Sequence, residues 1–188
     1  MPMMGERRTT GSLPQILTQV LLLLVLVGLV PPLPAASRTA REPELRAAVI
    51  LGILRYTVWP AAQRDVPAIE VCIVGDPPSA PSLLAISNRR SFAGRRLRVL
   101  ALPARESATH TCHVAVLGHG SSVTDAKRLA GHRVLTICDA CNGAEKQSTI
   151  RLLRRRNRIA FDVDLGQATR DGFSFGSAML ELAAKLRR

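Results

Sequence analysis

Short apolar runs rich in β-branched residues recur along the chain at 69–74, 97–102, 114–117 and 134–137, with helical segments between them. That alternation leaves few architectures open. A strand covered on both faces reads as an unbroken apolar run, and an intervening helix carries the chain back so that successive strands lie parallel. Val114-Ala115-Val116-Leu117 is the purest example, apolar on both faces. The crossovers are expected to be right-handed.

The first helical segment, residues 44–58, is apolar around most of its circumference, through Leu45, Val49, Ile50, Ile53, Leu54 and Tyr56. A helix of this kind packs on more than one side. Pro60 ends it, because its ring cannot continue the hydrogen-bond ladder. Shorter helices are predicted over 79–86, 104–109, 122–130 and 165–169, and Gly75-Asp76-Pro77-Pro78 closes the first strand as a turn. After Cys141 the period changes to two: Ile150 and Leu152, then Ile159, Phe161 and Val163, alternate with polar residues around Arg154-Arg155-Arg156-Asn157. This predicts an antiparallel hairpin with a basic tip. With a terminal amphipathic helix over 174–186, the expected fold class is α/β. It is a mainly parallel sheet flanked by helices, with a C-terminal antiparallel hairpin, in a Rossmann-like three-layer sandwich.

Ahead of this domain, Arg7-Arg8, an apolar stretch over 16–30, Pro31-Pro32 and the small residues Ala35-Ala36-Ser37 follow the order of a secretory signal peptide. A helix over 16–30 would span about 22 Å, short of the ~30 Å hydrocarbon core, which disfavours a retained anchor. Residues 1–36 are therefore read as a signal peptide and 37–188 as one domain, since a chain of that size supplies one core and too little for two. Arg7, Arg8 and Glu6 leave with the leader, so the formal charge falls only from +12 to about +11. Nearly all of it is arginine. Outside the cytosol its natural counterparts are membrane surfaces or an acidic protein face, and nucleic acid is not an expected partner.

Four cysteines, Cys72, Cys112, Cys138 and Cys141, suit an oxidising compartment and favour disulfides. Sequence leaves all three pairings open. The preferred ones are Cys72 with Cys112, which neighbouring strands can bring together, and Cys138 with Cys141, a local bond with either a structural or a redox-sensitive role. The Cys138-Asp139-Ala140-Cys141 spacing also occurs in thiol oxidoreductases, where the pair opens a helix that lowers the first thiol's pKa. Here Asn142-Gly143 continues as a turn, and Asp139 sets a negative charge beside the sulfurs.

Gly118-His119-Gly120-Ser121-Ser122 stands between a strand and a helix, so its amides are candidates to hold an anion, though no complete phosphate-loop signature is present. His110, His113 and His132 show no spacing for a triad or a metal and are expected to be solvated or capping. No catalytic residue, metal or cofactor is expected. Arginines 151, 154, 155, 156 and 158 crowd the hairpin, while 89, 90, 95, 96 and 98 crowd the approach to the second strand. They form solvated faces or docking surfaces whose guanidinium forks match carboxylate or phosphate.

The ordered set Tyr56-Thr57-Val58-Trp59-Pro60, Val71 to Pro77, Cys112-His113-Val114, Val134 to Ile137, Asn157 to Leu165, and Gly172-Phe173-Ser174-Phe175-Gly176-Ser177-Ala178-Met179-Leu180 resembles the YfiR-like family of periplasmic proteins over nearly the whole mature domain. Departures lie in the loop 138–147 and at Phe173-Ser174-Phe175-Gly176-Ser177. The resemblance implies a non-enzymatic repressor of an inner-membrane diguanylate cyclase, acting by binding that enzyme's periplasmic region in cyclic-di-GMP and biofilm control. An outer-membrane lipoprotein as competitor and a homodimer are compatible with it. Phe175, Met179 and Leu182 form a helical stripe that either packs on the sheet or, with Phe173 crowding Phe175, leaves one aromatic outward as an anchor beside Arg154, Arg155 and Arg156. A periplasmic small-ligand binder and a thiol–disulfide protein are the alternative functions.

Overall fold

The computed structural model describes residues 41–188, apart from 88–90, 93, 104–110, 131 and 157 and the side chains of 92 and 130. The expected signal peptide, the helix expected over 104–109, and His110, Arg89 and Arg90 lie outside the described residues.

Helix α1 (Glu42–Arg55) and a two-residue strand β1 (Thr57–Val58) lead through α2 (Ala61–Arg64) to β2 (Ala68–Val74) and α3 (Ala80–Ile86). A short β3 (Ser91–Phe92) and β4 (Arg95–Leu102) follow, then β5 (Val114–Leu117), α4 (Val123–Ala130) and β6 (Leu135–Cys138). The hairpin strands β7 (Ile150–Arg155) and β8 (Arg158–Asp164) precede α5 (Leu165–Arg170), β9 (Ser174–Phe175), α6 (Ser177–Leu182) and β10 (Lys185–Arg187). The main sheet runs β10-β8-β7-β6-β5-β2-β4-β3, parallel from β4 to β7, with β8 antiparallel to β7.

The pleat sorts the apolar runs into two cores, because alternate side chains point to opposite faces. Ile69, Val71, Ile73, Val114, Val116, Leu135 and Ile137 face a large core shared with Ile50, Ile53 and Leu54 of α1 and Leu83 of α3. The intervening Cys72, Val74, Ala115, Leu117 and Cys138 face a smaller core under Ala126 and Leu129 of α4. The result is the expected three-layer α/β sandwich. Both disulfides lie in this smaller core, over which the eight-residue α4 packs.

Two helix boundaries are corrected. Helix α1 ends at Arg55 rather than continuing to Val58. Tyr56 turns the chain with its N–H on the Ile53 carbonyl, and the Thr57 hydroxyl donates to the same carbonyl at 2.9 Å. The β-branched Thr57 and Val58 then pair antiparallel with Phe175 and Ser174, a ribbon apart from the main sheet. The single helix expected over 174–186 is instead a strand, a six-residue helix and a strand. After α6 the Ala184 N–H donates to the Phe161 carbonyl at 2.7 Å, and β10 runs parallel to β8. An uncovered β8 edge would leave a row of backbone donors and acceptors open, and pairing them outweighs the helix propensity of the alanines.

Candidate functional site

Counted from β2, the strands β4-β2-β5-β6-β7 stand in the order 2-1-3-4-5, so the chain reverses direction between β2 and β5. Doubly wound folds place ligands in the crevice at the carboxyl ends of those two strands. Here the loops themselves occupy it. A Cβ on Gly118 would overlap the Pro77 backbone, and one on Gly75, held at φ +69°, would overlap the His119 carbonyl. Glycine alone permits that approach, which the Asp76 N–H seals by donating to the His119 carbonyl at 2.8 Å. In the Gly118–Ser122 loop, Ser121 N–H donates to the Gly118 carbonyl, and Asp125 accepts both the N–H and the hydroxyl of Ser122, at 2.9 and 2.7 Å. The Gly118, Ser121 and Ser122 amides and the two serine hydroxyls of this loop are thus engaged by the chain's own carbonyls and carboxylate.

Asp139 completes the plug. It follows β6 and is fully buried. One carboxylate oxygen takes the Ser79 N–H at 2.9 Å, at the start of α3. The other takes the guanidinium of Arg46, itself buried on α1. Arg46 also grips Glu42 at 2.8 Å, and that hydrogen bond holds the Glu42 carboxyl below its ordinary value against a smaller desolvation effect. One buried carboxylate therefore ties the end of β6 to α1 and to the turn entering α3. Sequence reasoning missed Arg46 and Ser79, since nothing local marks an arginine on an apolar helix as a partner for a residue 93 positions away.

Cys72 and Cys112 are disulfide-bonded across the β2–β5 boundary, with Cα atoms 5.8 Å apart, and Cys138 is bonded to Cys141 with Cα atoms 5.3 Å apart. The second bond clasps the loop that carries Asp139, with Ala140 held at φ +63°. Its cysteines are 1 % exposed, and no helix begins at Cys141. A thiolate from solvent thus meets almost no exposed sulfur, and the pair does not open a helix as it would in a thiol oxidoreductase.

The structure separates the residues expected to form one partner surface. Arg154, Arg155 and Arg156 are exposed at the hairpin tip. Phe173, Phe175 and Met179 are buried, which corrects the expectation of an outward aromatic. Both aromatics fit inward: Phe173 meets Trp59 edge-on, with ring centroids 5.9 Å apart, while Phe175 lies beneath the β1–β9 ribbon. Arg95 covers the Trp59 ring at 5.2 Å. The apolar groups left facing solvent nearby are Tyr56 and Val58, 47 % and 51 % exposed, which sequence reasoning assigned to a packed helix. Leu182, also read as part of the packing stripe, is 74 % exposed.

Of the two roles expected for it, solvated or capping, His113 is not solvated but buried, and it satisfies a backbone amide. Its Nδ1 accepts the Glu70 N–H at 3.0 Å, on an open groove of about 730 Å³ lined by Glu70, Arg96, Arg98 and Thr111. Glu70 and Arg98 pair at 3.2 Å in that groove. Burial pushes the imidazole below its ordinary 6.5, with Glu70 opposing and Arg95 reinforcing. The folded chain then binds a proton less readily than the unfolded one. This contribution to stability is present in full above the unfolded value and is lost as the pH falls through the folded value. Thermal melts taken from neutral to mildly acidic pH are expected to shift downward, and His113→Asn, which keeps an acceptor for Glu70, flattens the slope. Identical slopes for the two proteins would assign the pH dependence elsewhere.

Among the described residues, no three His, Cys, Asp or Glu side chains stand together as a metal site, and no helix is long and apolar enough to cross a membrane. The class so defined is a doubly wound α/β domain with its crevice closed by its own loops. The chain belongs to the YfiR/HmsC-like family, whose description matches residues 43–184, nearly all of the described domain. That family is one of periplasmic regulators of diguanylate cyclases rather than of catalysts. No curated protein matches the chain.

Proposed function

We propose that the mature domain is a periplasmic repressor that binds the periplasmic region of an inner-membrane diguanylate cyclase. The observation that carries this reading is the family match, which spans the domain from α1 to α6. The tight approach of the 75–77 and 118–119 loops supports it, because among the described residues it leaves little room for a ligand between them. Tyr56, just ahead of β1, and Val58 within it are the apolar anchors; Val58 pairs with Ser174, Thr57 between the two pairs with Phe175, and the Gly176 N–H donates to the Tyr56 carbonyl at 2.9 Å. Rigid aromatic anchors of this kind dominate interface energetics. Repression follows from population shift: a partner that binds the inactive cyclase conformation more tightly lowers cyclic-di-GMP output without touching substrate.

The test is substitution on the ribbon. Tyr56→Asp and Val58→Asp are each expected to weaken binding about thirtyfold, the scale of losing one interface hot spot, and to raise cellular cyclic-di-GMP. The melting temperature should stay near the parent's, because both side chains are already half in water. Phe173→Ala, by contrast, acts through the core and is expected to lower the melting temperature. Folded ribbon variants that repress at the parental level would exclude this surface.

A further inference from the structure

The hairpin β7–β8 outruns the sheet that supports it. Strand β7 pairs with β6 only at Ile150 and Arg151, and β8 pairs with β10 only from Asp162 to Asp164. Beyond those rows, and beyond the Ala184 N–H on the Phe161 carbonyl, the two strands pair with each other alone, from Leu153 opposite Ala160 to Arg155 opposite Arg158. At the rise of a strand, four residues carry the tip about 13 Å past the last row shared with β6.

Charge on this arm is partitioned. Arg151, at its base, is neutralised by the buried Asp162 at 2.5 Å. At the tip, Arg154, Arg155, Arg156 and Arg158 enclose a concave surface of about 700 Å³. Among the described residues, one carboxylate is ion-paired there, Glu42 with Arg154 at 2.9 Å. Arg155 and Arg158 stand directly opposite each other, an arrangement of like charges that destabilises a hairpin. Arg156 holds φ at +47°, a strained turn for a residue with a side chain. The arm thus keeps uncompensated positive charge at a folding cost, and an external anion relieves it.

The geometry points to anionic phospholipid headgroups as that anion: the hairpin tip is a membrane-docking arm that adsorbs to an anionic bilayer surface facing the periplasm. Two observations favour a headgroup layer over an acidic protein face. The flanking Leu153 and Ile159 are half-buried and the tip presents no apolar side chain, whereas a protein interface needs a desolvated centre. A sheet of phosphodiesters also offers several anions at once to several guanidinium forks. The inference rests on the periplasmic location in the reading above and is independent of the cyclase.

The experiment is sedimentation of the purified protein, disulfides intact, with vesicles of phosphatidylcholine or of phosphatidylcholine mixed with phosphatidylglycerol. Binding is expected to the mixed vesicles only, and to fade as salt shortens the screening length. A charge at an anionic surface is worth about fivefold in partitioning, so Arg154→Ser, Arg155→Ser and Arg156→Ser together lower it roughly a hundredfold. The same number of substitutions at the exposed Arg55, Arg64 and Arg128 should lower it far less. Circular dichroism identical to the parent's establishes that the tip variant is folded. Three results would overturn the inference: equal loss in the two triple variants, equal binding to neutral vesicles, or retention on polyglutamate without vesicle binding, which assigns the tip to an acidic protein. None of these involves the cyclase, so the proposed repression stands or falls separately.

Discussion

Replacing Cys72 and Cys112 together by alanine is expected to destabilise the domain by about 4 kcal/mol, the chain-entropy value for a bond closing a loop of this length. The two cysteines are 40 residues apart, and the segment between them contains α3 and the whole of β4. Without the bond, the denatured chain regains the freedom of that segment. The native cost is concentrated in the smaller core under α4, to which all four cysteines belong. For a domain of this size the loss corresponds to a fall in melting temperature of roughly 10 °C. Cys138 and Cys141 close a loop with a sequence separation of only 3, so their replacement costs less, about 2 kcal/mol on the same scale. Urea titrations of the two double variants measure both numbers. A smaller loss for the long loop than for the short one would contradict the entropic account.

Asp139→Ala is expected to cost about 3 kcal/mol, because it leaves a buried guanidinium without its carboxylate and a buried amide without its acceptor. The orphaned groups are Arg46 and the Ser79 N–H, on α1 and at the start of α3. Breaking one partner of a buried pair is worse than removing both. The double variant Arg46→Met with Asp139→Asn therefore regains most of the loss, the asparagine oxygen still accepting from Ser79. If the double variant melts no higher than Asp139→Ala alone, the carboxylate acts through something other than this clamp.

The parts of the fold legible in the sequence are those where one physical signal dominates. The β2, β5 and β6 runs are apolar because both faces are covered, and β7 shows period two because one of its faces is only partly covered. Where two signals compete, the local one misleads. Tyr56, Thr57 and Val58 continue the apolar pattern of α1, yet they leave it because Ser174 and Phe175 offer a strand partner more than a hundred residues away. The spacing of Phe175, Met179 and Leu182 is helical, yet Lys185-Leu186-Arg187 forms a strand with no β-signature of its own, since the β8 edge requires one. The candidate surfaces divide in the same way. The arginine tip follows from the hairpin alone, whereas the exposed ribbon of Tyr56 and Val58 and the clamp at Asp139 depend on pairings that no window of sequence contains.

Cyclic-di-GMP measured in cells lacking the protein tests the central claim most directly. The account predicts a rise on deletion, return to the parental level on re-expression of the unaltered chain, and no return with Tyr56→Asp at equal abundance. An unchanged cyclic-di-GMP level on deletion would contradict it.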